Sequence, residues 1–336
     1  MYQLQVVKTH PIGDNGRCIY LQKPDGWSHH AGQYLTLELE IEGKLYRRSY
    51  SIFTPPESET LGIAVQAVAN GQVSRWLINH LQYGQFLRST PAMGRFLVND
   101  RQTPAIFIAA GSGITPIYAL IKQLLLTGNN NLRLLYAVKS KELAWFATEL
   151  EELSKKSAGR FSIQWLESRP ITGSPRRLSN YFLEQWLQQV EYAKEAHYYL
   201  CGPFAFMRTA RFTLGFIGVS TNRIFQEQFA SEGQRYFSGN SVAASAVEAN
   251  CSLKTATEVF QWHNSAKNSL LKGAKEHGVS LPYSCENGFC GSCVIRLKEG
   301  QVVHRINEVL TEKELEQGWI LSCTAYATTA NIELEL

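Results

Sequence analysis

Four cysteines crowded into the last fifth of the chain restrict its fold more than any other feature of the sequence. Cys285, Cys290 and Cys293 are separated by four and then two residues, and Cys323 follows after twenty-nine more. Residues 1–5 have no basic region leading into an apolar core, so no secretory leader is expected and a cytoplasmic location is predicted. Because thiols stay reduced in the cytoplasm, clustered cysteines there indicate a metal site before they indicate disulfides.

The arrangement C-x4-C-x2-C with a distant fourth cysteine is the spacing of plant-type 2Fe-2S ferredoxins, in which thiolates hold two irons. Gly288 and Gly291 lie between these cysteines and permit the backbone angles that turn N–H groups towards cluster sulfurs. A structural zinc site is one alternative, although zinc sites favour two C-x2-C pairs and the first gap here is four residues. Free thiols are the other alternative. The spacing favours a 2Fe-2S cluster on the four cysteines.

The remainder of the 336 residues has room for two further domains. Residues 1–100 contain short strand-like runs separated by turns, which is typical of a small antiparallel β-barrel. Over residues 101–235 continuous apolar runs alternate with helical patterns, which predicts a parallel α/β sheet. Small and polar residues predict a linker over 236–250, and a separate unit is predicted over 251–336.

Charge is divided unevenly along the chain, whose net charge is +4. Residues 246–336 carry 8 basic and 11 acidic side chains, whereas residues 1–245 carry 25 basic and 18 acidic ones. Opposite net charges favour docking of the two parts, and compositional scatter is the alternative explanation. The small net charge gives no support to a nucleic-acid partner, and no apolar run approaches the roughly 18–20 residues of a membrane helix.

Two motifs in the first hundred residues offer the groups that a flavin nucleotide requires. One ends a predicted strand and supplies a cation for phosphate, an aromatic ring for stacking and a hydroxyl for the flavin N5: Arg48, Ser49, Tyr50 and Ser51. The second is a helix start with Gly71 and Ser74, where backbone N–H groups can bind a phosphate. A plain helix cap is the alternative for this second motif.

A glycine-rich turn joins the buried strand pattern at 105–110 to the helix that follows it. Gly111 and Gly113 allow a dinucleotide pyrophosphate to approach closely, and Pro116 suits a first helical turn, where its missing N–H costs nothing. A later apolar strand ends at the turn 201–203, whose cysteine can stand beside a bound ring. The alternative is that this cysteine is simply a small buried apolar residue.

Together these motifs resemble the oxygenase-reductase branch of the ferredoxin–NADP reductase superfamily, the group that includes the phenylacetyl-CoA oxygenase reductases. The resemblance covers nearly the whole chain and implies a flavin barrel, a nucleotide domain and a C-terminal α+β ferredoxin domain of β-grasp type. It implies an NAD(P)H-dependent oxidoreductase in which hydride passes to FAD, with FMN less expected, and electrons then pass singly to the cluster. The implied acceptor is a partner oxygenase, hydroxylase or desaturase. A non-enzymatic redox sensor or electron carrier is the alternative.

The resemblance also assigns roles to residues at matching positions. Flavin contacts are implied for Arg48, Ser49, Tyr50, Ser51, Gly71, Val73, Ser74 and Phe229. Nicotinamide-nucleotide contacts are implied for Gly111, Gly113, Thr115, Pro116, Cys201, Gly202, Pro203 and Met207. Catalytic roles beside the flavin are implied for Ser51, Cys201 and Glu227.

Four polar residues after two predicted strands bear on the choice of coenzyme. Lys139, Lys141, Ser168 and Arg169 stand where an adenosine 2′-phosphate can be recognised. No acid follows the strand that ends at Val138, where an NAD-preferring site often has one. The sequence therefore favours NADPH, with ordinary loop charges as the alternative.

Overall fold

The computed structural model describes the whole chain except residues 69–70, 99, 129, 230–244, 256–257, 284–285, 289–290, 308 and 311. The chain forms two compact units, Met1–Phe229 and Ala230–Leu336. No helix among the described residues is long and apolar enough to cross a membrane.

The first unit begins with a six-stranded antiparallel sheet in the order β4-β3-β6-β1-β2-β5. Its elements are β1 (Tyr2–Ile12), β2 (Gly16–Gln22), β3 (Tyr34–Ile41), β4 (Lys44–Ser51), β5 (Thr60–Gln66), α1 (Gln72–Asn79) and β6 (Phe86–Ser89). Ile52, just beyond β4, pairs with Ile63 of β5 and brings the two edges of the sheet together. The predicted antiparallel barrel is confirmed.

The second part of this unit is a parallel sheet in the order β11-β10-β7-β8-β9. Its elements are β7 (Ala105–Ala110), α2 (Ile114–Thr127), β8 (Leu132–Val138), α3 (Ala147–Lys156), β9 (Phe161–Glu167), α4 (Asn180–Gln188), β10 (His197–Cys201), α5 (Phe204–Phe216) and β11 (Ile224–Glu227). Successive side chains of β7 enter opposite apolar layers, Phe107 with α2 and Ile108 with α5. The continuous apolar run of β7 is explained by this double burial, and the predicted α/β sheet is confirmed.

The barrel and the parallel sheet share one apolar core. Phe53 of the barrel lies 5.1 Å from Phe146, whose ring stacks on Tyr118 of α2 at 4.4 Å between centroids. Trp145 packs on the β1–β2 hairpin, where an added Cβ at Gly16 would approach its ring to 2.5 Å. The predicted boundary at residue 100 falls between β6 and β7, inside a single compact unit.

The second unit is built on a mixed sheet in the order β13-β12-β18-β14-β16, with a two-stranded sheet β15-β17. Its elements are β12 (Ala249–Lys254), β13 (Val259–Asn264), α6 (Leu270–Glu276), β14 (Val294–Glu299), β15 (Val302–His304), α7 (Glu312–Glu316), β16 (Trp319–Leu321), β17 (Ala325–Ala327) and β18 (Asn331–Glu335). Helix α6 buries its apolar face against this sheet, which confirms the predicted α+β class.

Strand β12 begins inside the segment predicted to be a linker. Ala249, Cys251 and Leu253 are buried in alternation, so the strand includes residues 249–250, the last two of the predicted linker. Burial that alternates over six residues identifies this stretch as a strand, even though Ala249 is a small residue of the kind that predicted a linker. Residues 236–244 of the predicted linker lie outside the described residues.

Candidate functional site

The three residues with predicted catalytic roles come together at the carboxyl ends of the parallel strands. Cys201 of β10 and Glu227 of β11 are register partners at the ends of neighbouring strands. Ser51, the last residue of β4 in the barrel, donates a hydrogen bond from its Oγ to Glu227 Oε2 at 3.3 Å. Residues separated by 176 positions in the sequence therefore meet in one site.

Ser51 and Cys201 are buried and Glu227 is half-buried, and this burial governs the pKa values of the group. Burial raises the pKa of Glu227 to about 8, although the hydrogen bond from Ser51 acts in the opposite direction. Burial raises the pKa of the Cys201 thiol well above its usual range, and the nearby Glu227 carboxyl adds to this. At neutral pH the site therefore holds a protonated carboxyl, a hydroxyl and a neutral thiol side by side.

Strand β4 presents the predicted flavin residues on alternate faces. The Arg48 guanidinium lies 5.9 Å from the centroid of the Tyr46 ring and donates to the Arg47 carbonyl at 2.8 Å. Tyr50 packs against the barrel core, and burial raises the pKa of its phenol. Ser49 shares a 2.8 Å hydrogen bond with Thr36, so its hydroxyl serves the pairing of β4 with β3.

The N-terminus of α1 has the form of a phosphate site. Gly71 is the N-cap, with no side-chain cap and no acidic residue in the first turn. The Ser74 hydroxyl accepts the Val68 N–H at 3.2 Å and donates to the Gly71 carbonyl at 3.3 Å. An added Cβ at Gly71 would lie 2.6 Å from that hydroxyl, and Val73 is buried, so Val73 can reach a phosphate only through its backbone N–H. An uncapped helix start of this kind fits a flavin phosphate.

The two glycine-containing turns of the parallel sheet pack directly on one another. An added Cβ at Gly113 would lie 2.4 Å from the Cys201 carbonyl oxygen, and one at Gly202 would lie 2.9 Å from the Ala110 Cβ. Gly111 has a φ of +53° and faces open space within 4 Å of its ideal Cβ. Two of these glycines therefore bring the turns together, and Gly111 leaves room for a pyrophosphate.

The other residues predicted at the nucleotide differ in their surroundings. Thr115 donates to the Ser112 carbonyl, and Pro116 is buried in the first turn of α2. Pro203 is the N-cap of α5 and is exposed. The side chain of Met207 is only 3% exposed and lies in the apolar core beneath α5, away from the surface of the turn.

Phe229 lies two residues beyond Glu227 and is 38% exposed. It is the last described residue of the first unit. An accessible aromatic side chain at this position fits the predicted role beside a flavin ring.

The predicted coenzyme-recognition residues also meet at one edge of the sheet. Arg169 donates its backbone N–H to the Lys139 carbonyl at 2.7 Å, and Ser168 donates to the Val138 carbonyl from its backbone and its hydroxyl. Lys139 forms an ion pair with Asp14 of the barrel at 2.8 Å, a contact that no local sequence signal indicated. Lys141 forms an ion pair with Glu151.

The exposed Arg169 side chain has no hydrogen-bond or ion-pair partner in the described part of the chain. It is therefore the cation of this group that remains most available for an incoming phosphate, because both lysines already hold carboxylates.

Two of the four predicted cluster ligands lie among the described residues. Cys293 and Cys323 are buried, with their sulfurs 3.1 Å apart, well beyond the length of a disulfide bond. Gly288, at φ +80°, leaves an added Cβ only 2.6 Å from the Ile306 carbonyl oxygen, so the loop takes a shape that only glycine permits. Two adjacent buried thiols beside such a loop fit an iron–sulfur cluster. The other two ligands, Cys285 and Cys290, lie outside the described residues.

Comparison with known families agrees with this geometry. Residues 3–97 match the oxidoreductase FAD-binding domain, residues 107–211 the oxidoreductase NAD-binding domain, and residues 261–328 the 2Fe-2S iron-sulfur cluster binding domain. The cofactors of the chain are therefore FAD and a 2Fe-2S cluster, with NAD(P)H as the reductant.

Relatives that match along nearly the whole chain are reductase components. The chain is 30% identical over 349 residues to the ferredoxin reductase component of 3-ketosteroid-9-alpha-monooxygenase from Mycolicibacterium smegmatis, covering 99% of this chain and 96% of that protein. It is 28% identical over 330 residues to the reductase component of stachydrine N-demethylase from Rhizobium meliloti, covering 95% and 92% of the two chains.

Among solved structures, phthalate dioxygenase reductase aligns with a TM-score of 0.63 at 25% identity, covering 100% of this chain and 98% of that one. That reductase has a modular structure for electron transfer from pyridine nucleotides to a 2Fe-2S centre. Domain order, site geometry and similarity along the whole length agree, so the chain belongs to the oxygenase-reductase branch of the ferredoxin–NADP reductase superfamily, as an NAD(P)H-dependent oxidoreductase.

Proposed function

We propose that this chain is the reductase component of a multi-component oxygenase system and that its acceptor is a separate terminal oxygenase, hydroxylase or desaturase. The observation that carries the proposal is the meeting of Ser51, Cys201 and Glu227 between the flavin barrel and the nucleotide sheet. A pure electron carrier would have no need of this site or of the paired glycine turns. The systems to which the relatives belong, a monooxygenase and an N-demethylase, support the class of partner.

Different residues of the chain would bind the cofactor and coenzyme phosphates and hold a proton near them. The N-terminus of α1 would hold the flavin phosphate, and Gly111 and Gly113 would let the coenzyme pyrophosphate reach the start of α2. Glu227 carries a proton at neutral pH and fixes the Ser51 hydroxyl, so a proton can be held at Glu227 Oε2 or passed through Ser51 Oγ. When bound, FAD supplies the conversion of a two-electron donor into single electrons and the cluster relays those electrons.

We also propose that the protein acts in the cytoplasm. Support comes from the cysteines, since thiolate ligands are retained where a cell keeps its thiols reduced. The described Cys18, Cys201 and Cys251 are buried free thiols, which such a compartment keeps reduced.

The purified protein tests the function directly. We expect a yellow-brown protein with one flavin and two irons per chain, whose visible spectrum bleaches on addition of NAD(P)H. The reduced protein should then pass electrons to a one-electron protein acceptor. A flavin that NAD(P)H cannot reduce would favour the electron-carrier alternative, and zinc in place of iron would overturn the cluster assignment.

The choice of coenzyme is proposed to depend on Arg169. We expect Arg169→Ala to lower kcat/KM for NADPH by about tenfold, because a charge-assisted contact to phosphate contributes roughly 1.5–3 kcal/mol. The value for NADH should change little, since a ribose hydroxyl gains less from a guanidinium group. Steady-state kinetics with both coenzymes, using Arg177→Ala as an exposed control, measures the difference. Equal effects on both coenzymes, or a wild-type protein that strongly prefers NADH, would contradict the prediction.

Glu227 should make the stability of the protein depend on pH. Its folded pKa of about 8 lies above its unfolded value of 4.5, so the folded state binds the extra proton between these values. Stability contributed by the neutral carboxyl is therefore full below about pH 4.5 and is lost as the pH rises to about 8.

We expect Glu227→Gln to remove the loss of stability that Glu227 causes as the pH rises, because glutamine does not ionise. Because Glu227 is half-buried and solvent screens its charge, ionisation should lower the free energy of unfolding by only about 1 kcal/mol. A change of that size shifts the Tm of a domain of this size by about 2–4 °C. The difference in Tm between the variant and wild type should therefore increase by about 2–4 °C from pH 5 to pH 8, and it should not change further above pH 8. Glu191→Gln, at an exposed position, serves as the control, and parallel Tm curves for Glu227→Gln and wild type would contradict the assignment.

A further inference from the structure

The cluster ligand Cys323 lies in a tight turn whose residues are almost completely buried. The Thr324 N–H donates to the Leu321 carbonyl at 3.0 Å, which closes the turn 321–324 around the cysteine. Ser322 ties this turn to the other described ligand, because its backbone N–H and its hydroxyl both donate to the Cys293 carbonyl at 3.1 Å. The turn is therefore bonded directly to the backbone of Cys293, whose sulfur lies 3.1 Å from that of Cys323.

No strand among the described residues pairs with the outer side of this turn. β16 is an edge strand of its sheet, and its inner side is paired with β14. Since the Ser322 N–H points towards β14, the preceding Leu321 N–H points away from the sheet. Leu321 is completely buried, so its N–H requires a partner within the protein.

The partner is an imidazole from another strand. His304, at the end of β15, accepts the Leu321 N–H on its Nε2 at 3.0 Å, while its backbone is paired with that of Ala325 just beyond the turn. Burial lowers the pKa of His304 to about 4, so the ring is neutral at ordinary pH and its acceptor nitrogen is available. Arg305 and Ile306, the next residues, bond the same turn through Thr324.

We propose that His304 is a positioning residue for the 2Fe-2S cluster: its Nε2 satisfies the buried Leu321 N–H and so holds the turn that presents Cys323 opposite Cys293. Its action runs through the backbone of the turn and requires no contact between the imidazole and the cluster. An apolar residue at position 304 leaves a buried donor unpaired two residues before a ligand, and the turn has to shift or open to water.

The test compares a side chain that can accept this hydrogen bond with two that cannot. In the full-length, cofactor-loaded protein, His304→Leu and His304→Phe should release iron to a chelator about tenfold faster than wild type, while His304→Gln stays within about twofold, because a glutamine amide oxygen can accept the Leu321 N–H. The reduction potential and the electron paramagnetic resonance spectrum of the cluster should change in the two apolar variants and be restored in the glutamine variant.

Two controls separate this role from a general loss of folding. His263→Leu removes an exposed imidazole on β13 of the same unit, which bonds Glu248 and Asn250, and should change neither iron release nor potential. Reduction of the flavin by NAD(P)H should be unaltered in all the variants, since the flavin and nucleotide residues lie in the other unit. If one apolar variant is insoluble, the other serves for the measurement.

Two results would overturn the proposal. The first is a wild-type potential and iron-release rate in His304→Leu or His304→Phe. The second is a glutamine variant that is damaged as severely as the apolar ones, since side-chain volume and not hydrogen-bond acceptance would then account for the effect.

Discussion

We expect the replacement of Cys290 by serine to abolish electron delivery to a protein acceptor while NAD(P)H continues to reduce the flavin. We expect reduction of cytochrome c, a one-electron protein acceptor, to fall by about 100-fold or more, because the cluster loses a thiolate ligand and with it the single-electron relay. Reduction of a small dye directly from the flavin should keep at least about half of its wild-type rate, because the residues that match the FAD-binding domain belong to the other compact unit.

The comparison requires a matched cysteine outside the cluster motif. Cys251 is a buried free thiol in β12 of the same unit, and Cys251→Ala should retain iron and protein-acceptor activity. Iron content, dye reduction and cytochrome c reduction measured on both variants give a complete comparison. Parallel loss of both activities in a soluble, flavin-loaded Cys290→Ser protein would contradict the order of electron transfer from flavin to cluster.

Gly113→Ala should block the reduction of the flavin itself. A Cβ at this position would lie 2.4 Å from the carbonyl oxygen and 2.6 Å from the carbonyl carbon of Cys201, both of which belong to backbone that no rotamer change can move. Residue 201 must therefore shift, and Glu227, its register partner on β11, shifts with it. Misplacement of about 1 Å near reacting atoms costs on the order of 100-fold in rate, so we expect a fall of that size in flavin bleaching by NAD(P)H.

Gly215→Ala is the matched control for that substitution. Gly215 lies in α5 of the same unit, and nothing lies within 4 Å of its ideal Cβ. This variant should bleach at the wild-type rate with an unchanged or slightly higher Tm, since alanine favours a helix over glycine. Stopped-flow measurement of flavin bleaching follows both proteins, and a Gly113→Ala protein with the wild-type rate would show that the close packing of the two turns is not required.

Motifs whose chemistry depends on spacing within a few residues could be identified from the sequence. The Gly111–Pro116 turn and the cysteines that include Cys293 predicted an NAD-binding and a 2Fe-2S domain, which the family matches confirm, and the roles of the individual residues stay predictions. The continuous apolar run of β7 is equally local, and with the helical patterns between such runs it was sufficient for the fold class.

Contacts between distant segments could not be predicted in the same way. The Asp14–Lys139 ion pair spans 125 positions, and the bond from Leu321 to His304 depends on the path of an edge strand. Met207 shows that closeness in sequence can also mislead. It follows the Cys-Gly-Pro turn closely, which suggested a nucleotide contact, but the period of helix α5 directs its side chain into the core.

The stacked rings that join barrel and sheet determine where this protein can be divided. Phe53 contributes to the barrel and Phe146 to the sheet, yet their rings lie in one core, so separating them would expose both to water. A chimaera joined near residue 100 would need to recreate that aromatic contact in a foreign partner. Exchange of the 2Fe-2S domain is compatible with this core only when the junction lies beyond Phe229, so the unit that matches the 2Fe-2S domain can be recombined independently of the unit that matches the FAD-binding and NAD-binding domains.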